Sequence, residues 1–195
     1  MKSKAKKIVL ILLAAISLGL LIMIITSPFG QQKGFTYKLV IHTTEINAPV
    51  DSVYNFLGNS YNAAKWSVFV NHISPLNNDK VQDGFIGCQR RCFKNEDEQG
   101  LQWDEEITVA EPNKRRQLTI FNLKDFSLSA EGLATEQIYE SISNGKTRLS
   151  FTLFYLNGNP SVPDLLKTYF AAFEVKSIYE RNMANIKKII ETGRK

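Results

Sequence analysis

The dipeptide Asn144-Gly145 lies between two runs of alternating apolar and polar residues, 132–143 and 146–156. Asn-Gly suits the two positive-φ positions of a type I′ turn, so this pattern is the strongest short signal for a β-hairpin. In the second run Leu149, Phe151, Leu153 and Tyr155 alternate with Arg148, Ser150 and Thr152. Side chains alternate across a strand, so this hairpin presents one apolar face. An antiparallel sheet can leave one face wet, but the apolar one needs a cover. The chain offers one at its end. After Pro163, and to about residue 191, Leu166, Tyr169, Phe170, Phe173, Ile178, Met183, Ile186 and Ile190 recur near helical spacing. A sheet covered by one long helix is an α+β architecture.

The upstream residues fit the same plan. Residues 36–46 are dense in Tyr, Val, Ile and Thr and read as a strand. Asn47-Ala48-Pro49 ends it, and Pro49 suits the first position of a helix. Val50, Val53, Tyr54 and Leu57 form a one-sided stripe, Asp51 favours the first turn, and Gly58 marks the stop. A second short helix is expected over 61–69, including Trp66. Strands follow at 72–76, 85–93, 101–109 and 115–123, separated by the turn-rich segments NNDK, KNEDEQG and EPNK. The order is strand, two short helices, about six strands, one long helix.

The N-terminus is a different kind of segment. MKSKAKK precedes an uncharged apolar run from Ile8 to Ile25, close to the ~20 residues that cross a bilayer as a helix. A cleaved signal peptide has a shorter apolar stretch, ~7–15 residues, ending in a small-x-small site. This run ends IITSPFG without such a site. We therefore expect an anchor over 1–27, a linker over 28–35 and one domain over 36–195. Four lysines precede the span, and the positive-inside bias keeps the N-terminus cytoplasmic and places the domain on the periplasmic or extracellular side.

Charge excludes one class of partner. The net charge is +5, but Lys2, Lys4, Lys6 and Lys7 are four of the 24 Lys and Arg, and the remainder nearly balances 19 Asp and Glu. Arg90-Arg91 and Arg115-Arg116 are isolated pairs, so no nucleic-acid patch is expected. Cys88 and Cys92 are four apart on a strand, ~13 Å between Cα atoms, too far for a disulfide. With no nearby His they make a poor metal site, and two small buried or half-buried side chains are expected. No glycine-rich phosphate loop, HExxH motif or cofactor signature is present.

Four stretches together resemble the START-like helix-grip superfamily, also called SRPBCC, which includes polyketide cyclases/dehydratases and lipid-transfer domains. EINAPVDSVYNFL matches the strand-to-helix opening, and AAKWSVFVNHISPL the segment with a Trp before the second strand. LQWDEEITVAEPNKR matches the W-x-E-x-[iv] strand and its turn, and NGKTRLSFTLFY the strand before the last helix. The resemblance runs from Thr36 to Glu191. It implies a seven-stranded antiparallel sheet curled around the C-terminal helix, enclosing a cavity for a hydrophobic ligand.

Within that frame, alternation puts Trp103, Glu105, Ile107 and Val109 on one face, which is expected to point inward. Glu105 there is a desolvated acid or base, the partner of a buried Arg or Lys, or a residue near the rim of the cavity. His42 shares a face with Val40, Thr44 and Ile46, as a structural residue or a second acid/base group. Leu149, Phe151, Leu153 and Tyr155 are expected to face Phe170 and Phe173. With Trp66, Trp103, Glu105 and Ile107, they form the expected ligand-lining set. Three functions follow: a membrane-anchored module for a lipid or other hydrophobic small molecule, a cyclase/dehydratase-type enzyme using Glu105, or a ligand-free protein-interaction domain with a filled core.

Overall fold

The computed structural model describes residues 2–126, 132–143, 145–157 and 160–193. Helix α1 (Lys2–Thr26) leads to β1 (Gly30–Gln31), β2 (Lys38–Ile46) and α2 (Val50–Gly58). A 3-10 turn (Ser60–Asn62) and α3 (Ala63–Trp66) follow. The remaining elements are β3 (His72–Pro75), β4 (Gln89–Phe93), β5 (Gln102–Glu111), β6 (Arg115–Lys124), β7 (Leu133–Ser143), β8 (Lys146–Tyr155) and α4 (Val162–Thr192). One antiparallel sheet has the order β1-β2-β8-β7-β6-β5-β4-β3. The chain is thus α+β, with eight strands among the described residues rather than seven.

The extra strand lies in the expected linker. Gly30 and Gln31 pair with Leu39 and Lys38, and Phe29 is buried against Tyr155 and Tyr169. Two residues carry no periodicity, so this strand exists only because β2 offers an edge. The expected second helix is also shorter, ending at Trp66 and leaving Phe69 outside it. Pro49 precedes α2 rather than opening it, with φ −59° and ψ 149°.

The central hairpin forms as alternation requires. β7 and β8 pair from Leu133↔Tyr155 to Ser143↔Lys146. Gly145 takes φ +76°, and Asn144 lies outside the described residues. Alternation fails at one expected position. A bulge in β5 pairs Ile107 with Leu118 and Val109 with Gln117, leaving Thr108 over. The extra residue moves Val109 to the other face. Ala110 instead joins Ile107, Cys88 and Leu118 in a cluster.

Helix α4 begins at Ser161, whose Oγ accepts a hydrogen bond from the Asp164 N–H, and it crosses the inner face of the sheet. Its C-terminal half packs solidly: Met183 and Ile186 meet Ile46, Leu149, Tyr139 and the α2 residues Val53 and Leu57, all 0–4% exposed. Arg116 seals this end. It donates from Nη1 to the Tyr139 hydroxyl, the side-chain Oε1 of Gln137 and the backbone carbonyl of Tyr54 in α2, and its guanidinium stacks over Tyr54. The negative end of the α2 dipole and these neutral oxygens surround a cation that is 2% exposed. Gly58 leaves room for it: a Cβ there would lie 2.8 Å from Arg116 Nη2.

Candidate functional site

Helix α4 closes on the sheet through Tyr169 and Ala172 but leaves a gap beside them. The gap is a cavity of ≈ 310 Å³. Its aromatic wall is a triangle of Phe69, Trp103 and Phe126. Phe69 and Trp103 are 5.5 Å apart, and Phe126 meets Trp103 nearly edge-on at 5.7 Å. Leu123, Leu133, Phe151 and Leu153 continue the sheet side, and Ala171, Val175, Ile178 and Tyr179 form the helix side. Trp66 stands where α3 ends and contacts Phe151 edge-on at 6.0 Å.

The polar floor is built on an ion pair. Arg90 on β4 faces Glu105 on β5 in register. Arg90 Nε and Nη2 each donate to Glu105 Oε2 at 3.0 Å, and Trp103 Nε1 donates to Oε1 at 2.9 Å. Both carboxylate oxygens are occupied and both residues are 8% exposed. Burial disfavours the Arg90 charge, but Glu105 outweighs it and holds the guanidinium above its usual pKa. Burial first, and Glu105 second, push the Cys92 thiol well up, so the cavity sees a neutral thiol. Burial likewise raises the Tyr179 phenol, which donates to the Thr152 carbonyl and bonds Thr135.

Of the expected ligand-lining set, Trp66, Trp103, Glu105, Phe151 and Leu153 meet at this cavity. Ile107 and Leu149 are inward but lie in packed clusters. Tyr155 packs on Phe29, its hydroxyl bonded to Thr168. Phe170 and Phe173 point away from the sheet, 39% and 42% exposed. The helix carries apolar residues on two faces, and Tyr169, Ala172, Val175 and Tyr179 occupy the inner one. His42 faces α4, with Nδ1 3.9 Å from Glu180, and does not line the cavity.

Several lining residues escape sequence reasoning. Phe69 and Phe126 sit outside regular elements, where periodicity is silent. Arg90 becomes the partner of Glu105 only through the β4–β5 register. Cys88 and Cys92 are both buried, and they form no disulfide with each other, as their spacing implies. A wider depression, ≈ 540 Å³, lies between the β2 approach and the outer face of β7, and its walls include Glu111, Lys114, Arg115, Glu136 and Glu140. Its charged walls do not suit an apolar guest.

No family model and no curated protein matches the chain. Solved structures do. The protein XoxI from Bacillus cereus shares 12% identity at a TM-score of 0.60, covering 80% of this chain and 98% of that one. The Zhui aromatase/cyclase from Streptomyces sp. R1128 shares 16% at 0.57, covering 80% and 95%. The di-domain ARO/CYC BexL of the BE-7585A biosynthetic pathway shares 14% at 0.54, covering 78% of this chain and 46% of that one. At these identities the likeness carries an architecture and says nothing of a reaction: the chain after α1 has the helix-grip fold, with an apolar cavity between its sheet and its last helix.

Proposed function

We propose that this protein is a membrane-tethered helix-grip domain that binds a lipid or other hydrophobic small molecule between the sheet and α4. The single observation that carries this reading is the largely apolar, aromatic-walled cavity whose buried charges, Arg90 and Glu105, are paired with each other. Such a site rewards a guest that brings apolar surface and asks for few hydrogen bonds. The volume suits a compact guest or part of a longer chain. Helix α1 supports the tether: Lys6–Thr26 is long and apolar enough to span a membrane, and its side chains are not buried in the protein. In this reading α1 is retained, the N-terminus is cytoplasmic and the domain stands outside. No nucleic acid or cofactor is involved.

An acid/base enzyme is less well supported. Glu105 has no free oxygen, and His42 lies outside the cavity. The test is native mass spectrometry of the delipidated full-length chain titrated with lipids of defined chain length. A one-to-one adduct that disappears in Ala171→Phe, which fills the cavity, supports the reading. No adduct at any chain length overturns it.

A further inference from the structure

Phe170 and Phe173, which alternation and helical spacing together assign to the interior, belong to an outward stripe with Val162 and Leu166. These four residues, at i, i+4, i+8 and i+11, are 39–71% exposed. The next positions on that line are Ser177 and Glu180, so the apolar stripe stops after three turns. Scattered exposed apolar side chains need no explanation, but a continuous stripe on a helix does.

Its position says what covers it. The chain leaves α1 at Thr26, and the next residue is fastened to α4: Ser27 Oγ donates to the Tyr169 carbonyl at 2.8 Å. Phe29 is buried two residues on, edge-on to Tyr169 at 5.6 Å, and Lys38 Nζ donates to the Tyr169 hydroxyl at 2.7 Å. No slack separates α1 from α4. At 1.5 Å rise per residue, every member of the stripe lies within about 10 Å of Tyr169 along the helix axis. An amphipathic helix buries its apolar face ~5–10 Å into the headgroup and acyl boundary.

We infer that the stripe Val162, Leu166, Phe170 and Phe173 is a bilayer-docking face, seated in the outer boundary of the membrane that α1 spans. Its flanks carry Asp164 and Glu174 as well as Lys167 and Lys176, so apolar burial drives the contact and a neutral bilayer suffices. The consequence is functional. Ala171 and Val175, on the other side of these same turns, line the cavity, so one helix segment separates lipid from ligand. This inference rests on the membrane-tethered reading above.

The experiment uses the full chain in phosphatidylcholine nanodiscs with single nitroxide labels at Leu13→Cys, Phe170→Cys, Phe173→Cys and Arg181→Cys. Cys88 and Cys92 are buried, so brief labelling modifies the introduced thiol. Accessibility to oxygen, which enters the acyl region, is compared with accessibility to a water-soluble nickel chelate. The expected result is a several-fold higher oxygen-to-nickel ratio at Phe170 and Phe173 than at Arg181. Leu166→Cys replaces either stripe variant that fails to fold. If Leu13 is lipid-buried while the stripe matches Arg181, the docking face is wrong and the tether stands. If Leu13 is itself water-accessible, the tether reading fails and the docking face fails with it. Dipolar broadening between labels at Phe170 would assign the stripe to a second copy of the chain and overturn the inference.

Discussion

The two halves of α4 cover the same sheet and meet opposite interiors. From Tyr179 onward the helix lies on a filled core, where Met183 and Ile186 interlock with Ile46, Leu149 and the inner face of α2. Before Tyr179 one side of it packs on Phe29, Val40 and Tyr155, and the other roofs a cavity. The difference is not one of hydrophobicity, since both ends are rich in apolar residues. At the filled end α2 adds a second layer, Val53 and Leu57 with Tyr54 and Phe56 beside them, that fills the space over the sheet. At the hollow end the layer beside α4 is the four-residue α3, whose Ala63 and Trp66 line the cavity. Three large rings prop against one another, each edge-on or tilted contact contributing about 0.5–1.5 kcal/mol. A buried ion pair holds β4 and β5 at the floor. Planar rings and a charged pair with fixed geometry resist collapse, so the space persists.

Breaking the floor should have the largest effect. Glu105→Gln leaves Arg90 buried without its counter-charge, and the expected loss is about 3–5 kcal/mol of unfolding free energy in a urea titration. Adding Arg90→Met should restore much of it. Full stability in the single variant would show that the pair holds nothing open. Next comes the filled end. Ile186→Ala should cost about 2–5 kcal/mol by thermal or chemical unfolding. Removing Val175 from the already hollow half should cost clearly less, because it enlarges an existing space. Equal costs would erase the distinction between the halves. Converting one end into the other is a smaller step. Ala171→Phe should stabilise the fold by about 0.5–2 kcal/mol and abolish uptake of a fluorescent fatty acid.

The smallest expected effect concerns His42, at the side of the filled region. Burial holds its imidazole below the ordinary value, against the pull of Glu180 at 3.9 Å and with the push of Lys176. A depressed pKa means that the unfolded chain binds the proton more readily. Stability should therefore decline as pH falls through about 6.5 and level off once the folded form is also protonated. His42→Gln should flatten that slope in unfolding measured across pH 5–8. An unchanged slope would place the titrating group elsewhere.

The sheet, its antiparallel sense and its helical cover were legible because they rest on local patterns. The alternation from Leu149 to Tyr155 has one physical solution next to an Asn-Gly turn, and the post-Pro163 periodicity has one partner to cover. The inward direction of Trp103 and Glu105 followed from the same period of two. Val109 was misplaced because a bulge at Thr108 adds a residue that no composition announces. β1 was missed because a two-residue strand has no period.

The sequence by itself determined the strand faces, the helix-capped sheet and an apolar N-terminal segment, all of which follow from the spacing of apolar side chains along the chain. Only the tertiary structure decided which of two apolar stripes on α4 turns inward, because each satisfies helical spacing and the choice belongs to the sheet beneath. It also decided the fate of Glu105. A carboxylate on an apolar strand face is a free acid or half of an ion pair according to what stands across the ladder, and Arg90 stands there through register, a relation between strands that neither strand encodes alone.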